Sequence, residues 1–237
     1  PLVEIRTDPD IYSPEQAKET AEQIGLLMRM TGKVKRGLGT IRQDVNVSIK
    51  GGNRVEIKGV QRLEDIGKIV ELEAERQKNI LELSKKLLKR GKIIEPKIVD
   101  VTKILQASES RLIQGYLSEG KHSYAVRLDG FHGFLKFQLQ NEKTVAKDIV
   151  DVIKVYTGLR GFIHSDELPG YELSEKDILQ LKAATECSNE DAFAFVLADE
   201  GIAKRACRLI AERCEQLSNG VPKEVRAVND DLTTRFL

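Results

Sequence analysis

The sequence predicts an α+β protein made of two parts, and three patterns carry that prediction. Residues 40–60 alternate polar and apolar side chains on either side of Gly51-Gly52-Asn53, the period of a β-hairpin. Residues 62–90 repeat apolar side chains at helical spacing (Ile66, Ile69, Val70, Ile80, Leu81, Leu87 and Leu88) up to Gly91, a helix stop. Beyond about residue 112 short strand and helix signals alternate as far as Gly220-Val221-Pro222.

Taken in order, Val3-Glu4-Ile5-Arg6 alternates as a strand does, and the acidic turn Asp8-Pro9-Asp10 follows. This run adds Glu4 to a sheet face, or it is simply the approach to the next helix. Ser13-Pro14-Glu15-Gln16 starts that helix, with Ser as N-cap, Pro at the first helical position and Gln three residues on; Gly32 ends it near Thr31. In the hairpin, a three-residue loop pairs Lys50 with Arg54. Val47 then faces Ile57 and Ile49 faces Val55 on the apolar side, while Asn46 faces Lys58 and Ser48 faces Glu56 on the polar side. The long helix of 62–90 follows, and Pro96 breaks the chain. Strands at 122–128 and 133–139 flank the Asp129-Gly130 turn, with further strands at 161–165 and 192–198 and helices at 142–157, 174–185 and 201–217. Residues 112–222 are expected to form a unit with its own core of Leu128, Leu135, Val152, Ile153, Phe162, Phe193, Phe195 and Ile210.

Hydrophobic residues make up 41% and charged residues 32%, which excludes a disordered chain. No run approaches the ~18 apolar residues of a membrane span. The net charge is only +1, so any nucleic-acid surface must come from segregation of charge. Segregation is present. Residues 29–54 hold seven bases against Asp44 and residues 85–97 six against Glu95, whereas residues 165–200 hold ten acids against Lys176 and Lys182. Each block reads as a solvated face or, in the basic front half, as a surface for a polyanion; Lys33, Lys35 and Arg36 are the candidate RNA contacts. Three cysteines in no CxxC pair fit free thiols in a reducing cytoplasm, and no secretion signal pattern opens the chain. It begins with Pro1 rather than Met, which suggests a piece of a longer protein.

The hairpin carries the chemistry. Asp44 and Asn46 on one strand and Glu56 and Lys58 on the other share a face. Carboxylates and an amide oxygen suit Mg²⁺, and a lysine suits phosphate. On pattern alone the plainer reading, the wet face of an antiparallel sheet, is preferred. Histidines and cysteines lack zinc spacing, His164-Ser165-Asp166-Glu167 has no Gly-x-Ser-x-Gly elbow, and there is neither a phosphate-binding P-loop nor a dinucleotide fingerprint, since Gly37-Leu38-Gly39 precedes a strand.

Gly37-Leu38-Gly39-Thr40-Ile41-Arg42-Gln43-Asp44-Val45-Asn46-Val47-Ser48-Ile49 and Arg54-Val55-Glu56-Ile57-Lys58-Gly59-Val60-Gln61 closely resemble the glutamyl-tRNA(Gln) amidotransferase family, in its archaeal E-type member and the related bacterial B-type member, as does the opening Val3 to Asp10. Gly158-Leu159-Arg160-Gly161-Phe162-Ile163-His164-Ser165-Asp166-Glu167-Leu168-Pro169 resembles the insertion domain that the E-type member shares with bacterial aspartyl-tRNA synthetases. The resemblance implies part of an antiparallel-sheet, kinase-like cradle domain over 1–111, the insertion over 112–222 and a return into the cradle over 223–237. It implies ATP-dependent conversion of Glu-tRNA(Gln) to Gln-tRNA(Gln), with ATP and Mg²⁺ bound and ammonia supplied by a partner amidase. Glu4, Asp44 and Glu56 would be catalytic acids, Glu4 also at the metal, with Asn46 and Lys58 holding phosphate or the hairpin. The family's members are longer at both ends. The rival reading is a non-catalytic fragment that grips tRNA or a partner; against it, Asp44 and Glu56 would repel phosphate. A piece of an aspartyl-tRNA synthetase is disfavoured by residues 1–100, which show none of that enzyme's pattern.

Overall fold

A computed structural model of the chain describes residues 3–37, 39–91 and 95–237; Leu38 of the glycine pair and Lys92 of the second basic block lie outside them. The elements are α1 (Pro14–Met30), β1 (Gln43–Val47), β2 (Val55–Val60), α2 (Ile66–Arg90), β3 (Ile98–Asp100), α3 (Thr102–Gln106), α4 (Arg111–Ser118), β4 (His122–Leu128), β5 (Gln138–Gln140), β6 (Lys143–Thr144), α5 (Val145–Thr157), β7 (Ile163–His164), α6 (Glu175–Ala184), β8 (Ala192–Ala198), α7 (Glu200–Ser218), β9 (Glu224–Val228) and β10 (Thr234–Phe236).

Helix ends follow the local chemistry. Ser13 Oγ accepts from Gln16 N with Pro14 in the first turn, and Gly91 closes α2 in the left-handed region at φ +63°. The opening run differs from expectation. Residues 3–8 pair with no strand, so Glu4 does not sit on a neighbouring strand of the hairpin.

The hairpin joins a four-stranded sheet in the order β1-β2-β9-β10, with β2 and β9 parallel and the other pairs antiparallel. Residues 224–236 thus return beside the hairpin. The hairpin faces are as expected but the register is not. Val47 faces Val55, Asn46 faces Glu56 and Val45 faces Ile57, a slip of two residues that leaves every side chain on its face. Ser48 and Ile49 lie beyond the ladder, and the buried Gln77 amide of α2 bonds the backbone there: its Nε2 donates to Val47 O at 3.0 Å and its Oε1 accepts from Ile49 N at 3.2 Å. Further along, Lys58 and Gly59 together oppose Asp44, a bulge that Gly59 permits at φ +80°.

The second sheet runs β3-β4-β8-β7, antiparallel throughout, and begins at Ile98, ahead of the boundary expected at residue 112. In β8 the small side chains Ala192, Ala194 and Ala198, with Val196, share one apolar cluster with Ala203, Cys207 and Ile210 of α7. Phe193 and Phe195 enter another with Val101, Leu105, Ile113 and Leu181. The first cluster also holds Val47, Val55 and Ile57 of the hairpin and Ile66, Ile69 and Ile80 of α2, so no break in packing separates the two sheets. The expected strand at 133–139 is instead two successive turns. Phe134 N bonds Phe131 O, Phe137 N bonds Phe134 O, and the Asp166 carboxylate takes Gly133 N and Leu135 N at 2.9 Å each; only 138–140 pairs, with β6. No helix among the described residues is long and apolar enough to cross a membrane.

Candidate active site on the hairpin sheet

The outer face of the hairpin gathers four of the predicted residues. Asp44 and Asn46 are exposed, Glu56 is half-buried and Lys58 is exposed. Lys58 Nζ lies 3.3 Å from Glu56 Oε1, Asn46 is directly across from Glu56, and the bulge sets Lys58 against Asp44. The result is a row of two carboxylates, an amide and an ammonium on an open surface. Two grooves lie elsewhere: about 220 Å³ between α1 and α2 at Pro14 and Gly67, and about 690 Å³ at Gln216, Lys223 and Phe236. Glu4 reaches this row only indirectly. It accepts from Arg6 Nε at 2.9 Å, and that bond, with a smaller pull from Glu56, raises the Arg6 guanidinium above its usual pKa. Lys33, Lys35 and Arg36 are exposed on the irregular connection between α1 and β1.

No group of three or more His, Cys, Asp or Glu side chains placed to hold a metal ion occurs among the described residues. The face offers what Mg²⁺ takes when nucleotide phosphates complete its shell, namely one or two carboxylates. The His164 to Glu167 run is structural, as its lack of an elbow implies: Ser165 Oγ accepts from Phe193 N and Asp166 pins the turns at 133–135. All three cysteines are free, and burial pushes the Cys207 thiol up to about 12, so it is inert.

Sequence reasoning missed what lies beneath the sheet. On β9, Glu224 and Arg226 stand across from Val55 and Ile57 and point to the underside. There they meet Glu73 and Arg76 of α2, Asp148 of α5 and Arg213 of α7, every side chain at most 4% exposed. Arg76 donates to Glu73 at 3.0 Å and Glu224 at 2.7 Å. Arg213 donates to Asp148 at 2.8 Å and Glu224 at 2.6 Å. Arg226 donates to Glu224 at 2.7 Å and lies 3.1 Å from Asp148. Three carboxylates and three guanidiniums balance. Burial alone would raise both acids, but the arginines outweigh it and hold Glu224 down at about 2 and Asp148 well below the carboxylate range. A signal was present in the sequence: Glu73 and Arg76 interrupt the apolar stripe between Ile69 and Ile80 at core spacing, where an unpaired charge could not remain.

The fold and site thus define an α+β protein with a polar, carboxylate-bearing sheet face over a buried ionic core. Residues 1–155 match the GatB/GatE catalytic domain family and residues 113–207 the GAD domain, so the chain belongs to the GatB/GatE catalytic domain family. Over all of its length it is 46% identical to the E-type subunit of glutamyl-tRNA(Gln) amidotransferase from Haloarcula marismortui and 45% identical to the protein of that name from Archaeoglobus fulgidus. The corresponding protein of Saccharolobus solfataricus is 42% identical over 243 aligned residues. The chain spans 38% of the length of each of these relatives.

Proposed function

We propose that the chain is the hairpin-bearing part of a tRNA-dependent amidotransferase, an ATP-dependent ligase that converts Glu-tRNA(Gln) to Gln-tRNA(Gln). What supports the reading above all is the coincidence of the family match over residues 1–155 with the polar row Asp44, Asn46, Glu56 and Lys58 on one accessible face. The γ-phosphoryl group of ATP passes to the glutamyl carboxylate, giving an acyl phosphate and ADP. Ammonia from a partner amidase then attacks the acyl carbon, phosphate leaves with the C–O bond, and the nitrogen gives up a proton. Lys58 holds the transferred phosphate electrostatically and Asn46 orients it. Glu56 or Asp44 takes the ammonium proton, with Glu4 as a third acid beside them through Arg6. Mg²⁺, when bound through these carboxylates and the nucleotide, screens the two anions that must meet. The sheet with its returning strands β9 and β10 would be part of a kinase-like cradle over 1–111 and 223–237, and 112–222 its insertion. Lys33, Lys35 and Arg36 are the proposed tRNA contacts, and the setting is the cytoplasm. The competing reading, a tRNA- or partner-gripping fragment without chemistry, gives no role to two carboxylates facing a polyanion. Amidation of Glu-tRNA(Gln) by the full-length protein with its ammonia-producing partner, wild type against the double variant Asp44→Asn with Glu56→Gln, tests the choice. A large loss supports chemistry at the face, and an unchanged rate leaves only binding.

A further inference from the structure

We propose that Gln77, a fully buried side chain on α2, is the positioning residue that fixes the loop end of the β1–β2 hairpin and with it the Asn46–Glu56 pair of the outer face. The inference rests on the amidotransferase reading of that face. β1 leaves the ladder after the Val47–Val55 pair. The Gln77 amide bonds the backbone on both sides of that exit, donating from Nε2 to Val47 O at 3.0 Å and accepting at Oε1 from Ile49 N at 3.2 Å. The second Nε2 hydrogen goes to Glu73 Oε1 at 3.1 Å, and Glu73 Oε2 is itself held by Arg76 Nε at 3.0 Å and Thr234 Oγ1 at 3.1 Å. The amide therefore has one orientation: reversed, it would set an N–H against an N–H and an oxygen against a carboxylate. Gly52 lies directly over it, so close that a Cβ there would stand 2.9 Å from Gln77 Oε1, and Asn53 Nδ2 pins the far side of the loop to Val221 O at 2.7 Å. Val47 is one residue from Asn46, whose cross-strand partner is Glu56. A reacting group must be held to within about 0.5 Å, and this loop end is what sets that distance. The buried ionic core thus reaches β1 of the hairpin through this amide, as it reaches β2 through the pairing with β9.

Two variants of Gln77 test this against a matched control. Gln77→Met keeps the approximate volume and removes both hairpin bonds. Gln77→Glu keeps the acceptor for Ile49 N but withdraws the donors and faces Glu73 with like charge. Gln140 is the control: it too is buried on the underside, accepting from Thr234 N at 3.2 Å and donating to Leu72 O, but none of its bonds goes to the hairpin. Hydrogen exchange over residues 43–58 and steady-state amidation of Glu-tRNA(Gln) are measured on the full-length protein assembled with its ammonia-producing partner. Both Gln77 variants are expected to raise exchange around Ile49 about ten-fold. They should lower kcat between about ten- and a hundred-fold with KM for the aminoacyl-tRNA unchanged. Gln140→Met is expected to lower thermal stability while leaving exchange in 43–58 and kcat as in wild type. Exchange that stays at the wild-type level in the Gln77 variants, a loosened hairpin with wild-type kcat, or an equal kcat loss in Gln140→Met would each overturn the proposal. Wild-type amidation by Glu56→Gln would instead sink the reading of the outer face, and the exchange comparison would still decide whether Gln77 holds the loop.

Discussion

The two faces of the hairpin sheet carry similar side chains in opposite circumstances. Above, Asp44, Glu56 and Lys58 meet water; below, Glu224 and Arg226 on the adjoining strand join Glu73, Arg76, Asp148 and Arg213 with almost no exposure. The Glu56–Lys58 pair at 3.3 Å is solvated and contributes about 0–1 kcal/mol to stability. The lower charges are desolvated, so each is tolerable only while its partners stay. Charge that water already satisfies is free to serve a ligand, whereas charge that only protein satisfies is committed to holding the fold. The lower set comes from α2, α5, α7 and β9, so it clamps the returning strand and both expected parts of the chain together.

The sharpest way to break this contrast is to remove one lower partner. Arg213→Met leaves Asp148 and Glu224 short of a cation in a buried site and should cost about 3–5 kcal/mol, read from urea or thermal unfolding. A change comparable to that of a surface variant would refute the clamp. Acid should act on the same set. Glu224 ionises near 2 in the fold against an ordinary 4.5, so its contribution is complete above about pH 4.5 and is lost as pH falls toward 2; Asp148 shifts in the same direction. Unfolding midpoints across that window should fall for the wild type, and a flat profile would contradict the pairing. Gly52→Ala should cost about 1–3 kcal/mol, because the new Cβ meets the buried Gln77 amide and Val221; thermal melting checks it.

How much of this was legible in the sequence depends on what fixes each element. The hairpin faces were legible, because period-2 alternation is a local property of Val45, Val47, Val55 and Ile57. Its register was not, because a side chain on another element, Gln77, bonds the backbone where β1 leaves the ladder. The turns at 131–137 misled for a related reason: Phe134 and Phe137 are spaced for consecutive turns, but Leu135 and Leu139 also fit alternation, and Asp166, distant in sequence, decides between them. β3, α3 and α4 carry too few residues for a periodic signal, and β3 exists through pairing with β4. Of the site residues, the four on the hairpin fall on one face as read. Glu4 does not join them on a strand, and the ionic core was overlooked because Glu73 and Arg76 look like surface residues until the stripe between Ile69 and Ile80 is followed through them.

A smaller effect separates the basic and acidic blocks. Reversing Lys35 and Arg36 to Glu should weaken tRNA binding, and flatten its salt dependence, more than reversing Lys176 and Lys182. Many acids of the 165–200 block are already engaged in the fold: Asp166 in the turns, Asp177 in the cap of α6 and Asp191 on Gly130 N at 2.8 Å. Filter binding across a salt series would show it, and equal effects would remove the RNA assignment.

The division between a working upper face and a holding lower face meets its most direct test in Glu56→Gln and Glu224→Gln compared in the full-length protein, each scored for amidation of Glu-tRNA(Gln) and for thermal stability. Glu56→Gln should abolish most amidation, by about a hundred-fold or more, while changing stability by less than about 0.5 kcal/mol. Glu224→Gln should lower stability by several times that amount. Wild-type amidation with Glu56→Gln, or a loss of stability as large as that of Glu224→Gln, would contradict it.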